Sequence, residues 1–107
     1  MRITFSIEAK NYIETLVRAD QILVLFYDTD GCGCAVNGVP ILKVETEEVK
    51  VNLIRINTND FSVYMYEKHL IFFDDDMKLH LDNNSLRLSS NNQIFTAKLV
   101  IKPMEHL

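Results

Sequence analysis

Two cysteines separated by one glycine, Cys32 and Cys34, are the residues with the clearest chemical potential, and the chain has no other cysteine. Gly33 permits the backbone bend that turns both thiols toward one side. Thiolates bind iron in clusters, Zn²⁺ and Cu(I). A disulfide between positions this close is strained, and a redox Cys-x-x-Cys motif needs two intervening residues. The spacing therefore indicates either a pair of metal ligands or two buried apolar residues, as free cysteines commonly are.

Two thiolates do not complete a four-ligand site. A second pair could come from a twofold-related copy of the chain, and a homodimer of this kind supplies the four sulphurs of an iron–sulphur cluster. The three histidines, His69, His80 and His106, have no spacing that ties them to the cysteines. His80 lies between two alternating leucines, so we predict that it faces solvent from a strand.

Composition predicts one domain, 1–107, with a normal globular balance of 48% hydrophobic and 24% charged residues. The net charge is −4, and the eleven Lys and Arg residues are scattered. We therefore expect no nucleic-acid partner and no membrane association. The N-terminal residues do not form a secretion signal, so a cytoplasmic location with reduced thiols is predicted. A cysteine enzyme needs a histidine base, and no motif indicates one, so no catalytic residues and no enzyme activity are predicted.

The elements around the cysteines indicate one helix followed by a mostly β body, an α+β, β-rich class. Residues 2–5 form a predicted strand, and Ser6 is a predicted cap for an amphipathic helix over about 7–18. Residues 22–27 are continuously apolar, which predicts a strand buried on both faces. Short strands are expected from residue 41 onward, including one through Val49, Val51 and Leu53, while residues 67–73 fit either a strand or a helical turn.

The segment 27–40 resembles the first cysteine loop of HesB-like iron–sulphur biogenesis proteins. It is most similar to a short bacterial subgroup with the loop D-x-x-G-C-G-C-A-x-x-G-V-P. The order of elements and the segments 72–79 and 86–90 also resemble that subgroup, so the resemblance covers almost the whole chain. It implies a HesB-like compact β-sandwich or barrel with one N-terminal amphipathic helix.

The better-known members of that family are A-type carriers, which bind iron or a cluster through three cysteines. Cys32 matches the first of these cysteines. The other two form a C-terminal Cys-Gly-Cys motif that this chain lacks. The resemblance implies a protein that carries iron or an iron–sulphur cluster on Cys32 and Cys34, with assembly or client proteins as partners. The alternatives are a non-catalytic interaction module that has lost the cluster, and a Zn²⁺ or Cu(I) protein that uses the same thiols.

Overall fold

Nine strands and three short helices form the part of the chain that the structure, a computed structural model, describes: residues 1–28 and 38–103. The strands are β1 (Arg2–Phe5), β2 (Gln21–Asp28), β3 (Val39–Thr46), β4 (Ile54–Thr58), β5 (Val63–Met65), β6 (Asp76–Asp82), β7 (Ser85–Ser89), β8 (Ile94–Thr96) and β9 (Val100–Lys102). The helices are the α-helix α1 (Ile7–Glu14) and two 3-10 helices, Glu47–Asn52 and Glu67–Phe72. The second 3-10 helix is called the His69 helix below. The predicted α+β, β-rich class is confirmed.

The strands form one sheet in the order β8-β7-β6-β1-β4-β5-β2-β3-β9. The sheet curls, because β8 at one edge contacts β3 near the other edge. The main core fills the inner face, where Ala9 and Ile13 of α1 are fully buried among strand side chains. On the outer face, Ile22, Val24 and Tyr64 form a second buried cluster, against which Leu53 packs. β2 is therefore buried on both faces, as its apolar run predicts.

Helix α1 begins where predicted and ends earlier than predicted, at Glu14 instead of residue 18. The Ser6 side chain accepts a hydrogen bond from the Ala9 backbone at 3.1 Å, which caps the first turn. At the other end, the Thr15 hydroxyl donates to the Tyr12 carbonyl at 2.7 Å. That bond competes with the backbone ladder, so the chain continues as a turn.

The strand predicted through Val49, Val51 and Leu53 is wrong, because residues 47–52 form the first 3-10 helix. Val51 is exposed, whereas Leu53 reaches the outer-face cluster. Strand alternation buries every second residue on one face, and here only one of the three apolar side chains finds a core. The uncertain segment 67–73 is largely helical, as one of its two interpretations predicts.

Three asparagines, Asn59, Asn83 and Asn84, stabilise a strand end and a hairpin turn of the sheet. The Asn59 side chain accepts from the Phe5 backbone N–H at 2.8 Å and donates to the Phe5 carbonyl at 3.1 Å, so it substitutes for a strand partner. Asn83 and Asn84 both have positive φ angles, which a two-residue hairpin between β6 and β7 requires. In the described part of the chain, no helix is long and apolar enough to cross a membrane.

Candidate functional site

The β2–β3 hairpin holds both ends of the segment that contains the cysteines. The two strands are antiparallel, and their ladder runs from Gln21 opposite Thr46 to Asp28 opposite Val39. Cys32 and Cys34, the predicted ligands, lie outside the described residues, as does His106. The structure therefore describes the frame from which the cysteine segment leaves the sheet and to which it returns.

Tyr27 joins the two sides of this frame. Its hydroxyl oxygen accepts a hydrogen bond from the Gly38 N–H at 3.1 Å. Its ring stacks on Phe72 of the His69 helix, with ring centroids 4.0 Å apart and planes 11° apart, and its edge contacts Phe73. A Cβ atom at position 38 would lie 2.8 Å from Cδ2 of the tyrosine ring. Glycine therefore fits here best, because a larger residue would have to displace the Tyr27 ring.

His69 fixes the end of β2 on the edge that faces β5, opposite the edge that pairs with β3. β5 pairs with β2 in parallel and ends at Met65, so the last part of β2 extends beyond its neighbour. In place of a strand carbonyl, Nδ1 of His69 accepts a hydrogen bond from the Tyr27 N–H at 3.3 Å. The His69 side chain is buried, with 6% exposure, and lies edge-on to the Phe26 ring at 4.7 Å.

The surroundings of His69 favour its neutral form. Burial is the main cause of a lowered pKa, and the charges of Lys68 and Lys43 lower the pKa further. Because Nδ1 accepts the bond from Tyr27, the single proton of the neutral ring is assigned to Nε2. A histidine that binds a metal through Nε2 carries its proton on Nδ1 instead. The hydrogen bond to Tyr27 therefore opposes metal binding by His69 and makes it a positioning residue.

Sequence reasoning missed this role of His69, since 42 residues separate it from Tyr27. The only local signal was the change of pattern at residues 67–73. His80 is half-buried on β6 opposite Arg87, so the prediction that it faces solvent is only partly met. Among residues 1–28 and 38–103, no group of three or more His, Cys, Asp or Glu side chains is arranged to hold a metal ion.

The cysteines of one chain provide only part of the donor set of an iron–sulphur cluster. Such clusters are held by four ligands, in most cases cysteine thiolates. One chain has two cysteines, so it supplies half of that set. The donor set fits a cluster only if two copies share it, or if a partner or a small thiol completes the coordination.

Comparison with known proteins assigns a family and finds a relative. A family model described as iron–sulphur cluster biosynthesis matches residues 1–102. The chain is 33% identical over 79 residues to the uncharacterized protein YqkB of Bacillus subtilis (strain 168). The aligned region covers 72% of this chain and 73% of YqkB.

Two solved structures share the fold. One is the crystal structure of a candidate Fe–S biosynthesis protein from Lactobacillus salivarius, described as having a novel protein fold. Its TM-score is 0.82 at 23% identity, with coverage of 99% of this chain and 100% of that chain. The other is a candidate Fe–S biosynthesis protein from Lactobacillus acidophilus, with a TM-score of 0.79 at 19% identity and coverage of 96% and 90%.

Proposed function

This chain belongs to the iron–sulphur cluster biosynthesis family, and we propose that it binds iron or an iron–sulphur cluster through Cys32 and Cys34. It acts as a carrier or scaffold in the cytoplasm, where the thiols stay reduced, and not as an enzyme. Assembly proteins and client proteins are its partners. A cluster is held between two copies of the chain, each of which supplies two thiolates.

The observation that carries this proposal is the support beneath the cysteine segment. The Asp28–Val39 pair ends a regular ladder, and Tyr27 ties Gly38 to the His69 helix through one hydrogen bond and one ring stack. Ligands on a loop bind metal well when the elements that anchor the loop are already rigid. The anchors here are held by a strand ladder, a hydrogen bond and a ring stack between protein groups, which favours a small loss of ordering entropy on metal binding.

Reconstitution without oxygen tests the proposal. Protein purified under nitrogen is incubated with ferrous iron and sulphide, desalted, and analysed for iron, sulphide, visible absorbance and molar mass. A two-iron cluster shared by two copies gives about one iron per chain, charge-transfer absorbance and a dimer. The variant Cys32→Ser/Cys34→Ser is expected to lose all three signals.

A matched control removes carboxylates instead of thiols. Asp75 and Asp76 are exposed and belong to a run of three consecutive aspartates, whose carboxylates are the ligand type that hard cations prefer. The variant Asp75→Asn/Asp76→Asn is expected to bind as much iron as the wild type. The proposal is wrong if the wild type takes up no more iron than the cysteine variant, or if only the aspartate variant loses iron.

The same measurements discriminate the second candidate, a metal-free interaction module. This candidate is favoured by the two cysteines per chain, which are half of a cluster's ligand set. It predicts a stable protein that contains no stoichiometric metal after purification without oxygen. Elemental analysis of that same preparation separates both candidates from a Zn²⁺ or Cu(I) protein that uses the same thiols.

A further inference from the structure

A group of apolar side chains is exposed beside the frame of the cysteine segment. Ile71 is 83% exposed, Phe72 40% and Tyr66 38%. The Phe26 ring lies 5.8 Å from the Tyr66 ring, and the His69 ring lies 4.7 Å from the Phe26 ring and 6.4 Å from the Phe72 ring. We call Phe26, Tyr66, Ile71 and Phe72 the aromatic patch. Single exposed apolar residues are ordinary on protein surfaces, whereas contiguous patches of large exposed apolar side chains are typical of interaction surfaces.

Two lysine ammonium groups lie over rings of the aromatic patch, and the exposed Glu67 lies between Tyr66 and Lys68 in the chain. The Lys43 ammonium lies over the Phe26 ring, 3.8 Å from its centroid, and that of Lys68 lies 5.7 Å from the centroid of the Tyr66 ring. Within the described residues neither lysine forms an ion pair. The chain as a whole has a net charge of −4, so this positive rim runs against its overall sign. Both lysines also lower the pKa of His69, which indicates a positive field inside the patch.

We propose that the aromatic patch docks an acidic, apolar segment of a partner protein, with Leu or Phe side chains flanked by Asp or Glu. The apolar side chains cover Ile71 and Phe72, and the carboxylates pair with Lys43 and Lys68. Charge complementarity selects this partner over a basic one. The inference deepens the proposed carrier function, because Tyr27 joins the aromatic patch to the ends of the cysteine segment through its stack on Phe72. It rests on the proposed function only for the role of the partner.

NMR titration of isotope-labelled protein tests the docking without any metal. The probe is a short synthetic peptide with a Leu-Phe-Leu centre and Asp and Glu flanks, and its twin carries Lys in place of each acid. The protein is the metal-free Cys32→Ser/Cys34→Ser variant, so the result does not depend on iron binding. We expect the acidic peptide to shift the amide signals of residues 66–72 and the basic twin to leave them unchanged.

Two charge variants decide whether the lysines are responsible. Lys43→Gln/Lys68→Gln is expected to weaken binding of the acidic peptide by roughly fivefold, the effect of losing two exposed charge pairs. Arg2→Gln/Lys78→Gln removes the same net charge on β1 and β6, which β4 and β5 separate from β2, and is expected to bind like the parent.

Several outcomes overturn the docking proposal. These are no shift at millimolar peptide, equal shifts with both peptides, shifts centred away from the His69 helix, or equal weakening by both charge variants. Shifts of residues 66–72 that depend on protein concentration without peptide would also overturn it, since they assign the patch to a second copy of the chain. If the peptide does not bind and iron loading is normal, the docking proposal fails and the proposed carrier function stands. If the peptide binds and iron is not taken up, the carrier function fails and the docking surface stands.

Discussion

Gly38→Ala is expected to destabilise the protein through the ring of Tyr27. Gly38 has no positive φ angle, so the backbone itself accepts alanine. The new Cβ atom, however, would lie 2.8 Å from Cδ2 of the tyrosine and 2.9 Å from Cζ, well inside normal contact. The ring cannot simply rotate away, because Phe72 stacks on its face and Phe73 meets its edge.

The magnitude follows from what must move. Displacing the ring strains the stack with Phe72 and the hydrogen bond from the Gly38 N–H, and overpacking of this kind costs about 1–3 kcal/mol. Replacing glycine by alanine restricts the unfolded chain, which stabilises the fold by about 0.5 kcal/mol and offsets part of that cost. We expect a net loss of about 1.5 kcal/mol in the free energy of unfolding. For a chain of 107 residues, this loss lowers Tm by roughly 7 °C.

A double-mutant cycle tests this reasoning by urea unfolding of the metal-free protein. Tyr27→Leu removes the ring, so adding Gly38→Ala to that variant is expected to be neutral or slightly stabilising. The coupling energy between the two positions is then about 2 kcal/mol. The reasoning fails if Gly38→Ala leaves the wild type unchanged, or if it costs the same with and without the Tyr27 ring.

Three further predictions concern single side chains. In the folded protein the pKa of His69 lies below its ordinary 6.5, so the unfolded chain takes up the proton first as the pH falls. The free energy of unfolding therefore declines from about pH 6.5 down to the lowered pKa. In urea unfolding measured at several pH values, His69→Gln should lack this decline and His80→Gln should keep it. Asn59→Ala should cost about 2 kcal/mol of unfolding free energy, because both of its hydrogen bonds to the Phe5 backbone are lost. Asn57→Ala, at an exposed position of β4, should change the free energy of unfolding by less than about 0.5 kcal/mol, and equal losses would contradict the bridging role of Asn59. Ser6→Ala should cost about 1 kcal/mol in thermal unfolding, and no loss would mean that the cap bond contributes nothing.

The sequence by itself determined the features that depend on neighbours along the chain. The apolar run of β2 and the Ser6 cap of α1 are both visible in a few consecutive residues, because backbone propensity and side-chain capping act locally. The cysteine segment also carried enough of its pattern to indicate the family, and the comparisons confirm that assignment. The metal-binding roles of Cys32 and Cys34 stay predictions.

The tertiary structure alone decided the contacts of the described residues that flank the cysteine segment. β5 stops at Met65, which exposes the edge of β2, and the chain then turns so that His69 replaces the missing strand partner of Tyr27. The same turn stacks Phe72 on Tyr27 and leaves Ile71 exposed. These contacts join residues more than forty positions apart, and no local spacing encodes them, because they depend on where two distant strands end in the folded sheet.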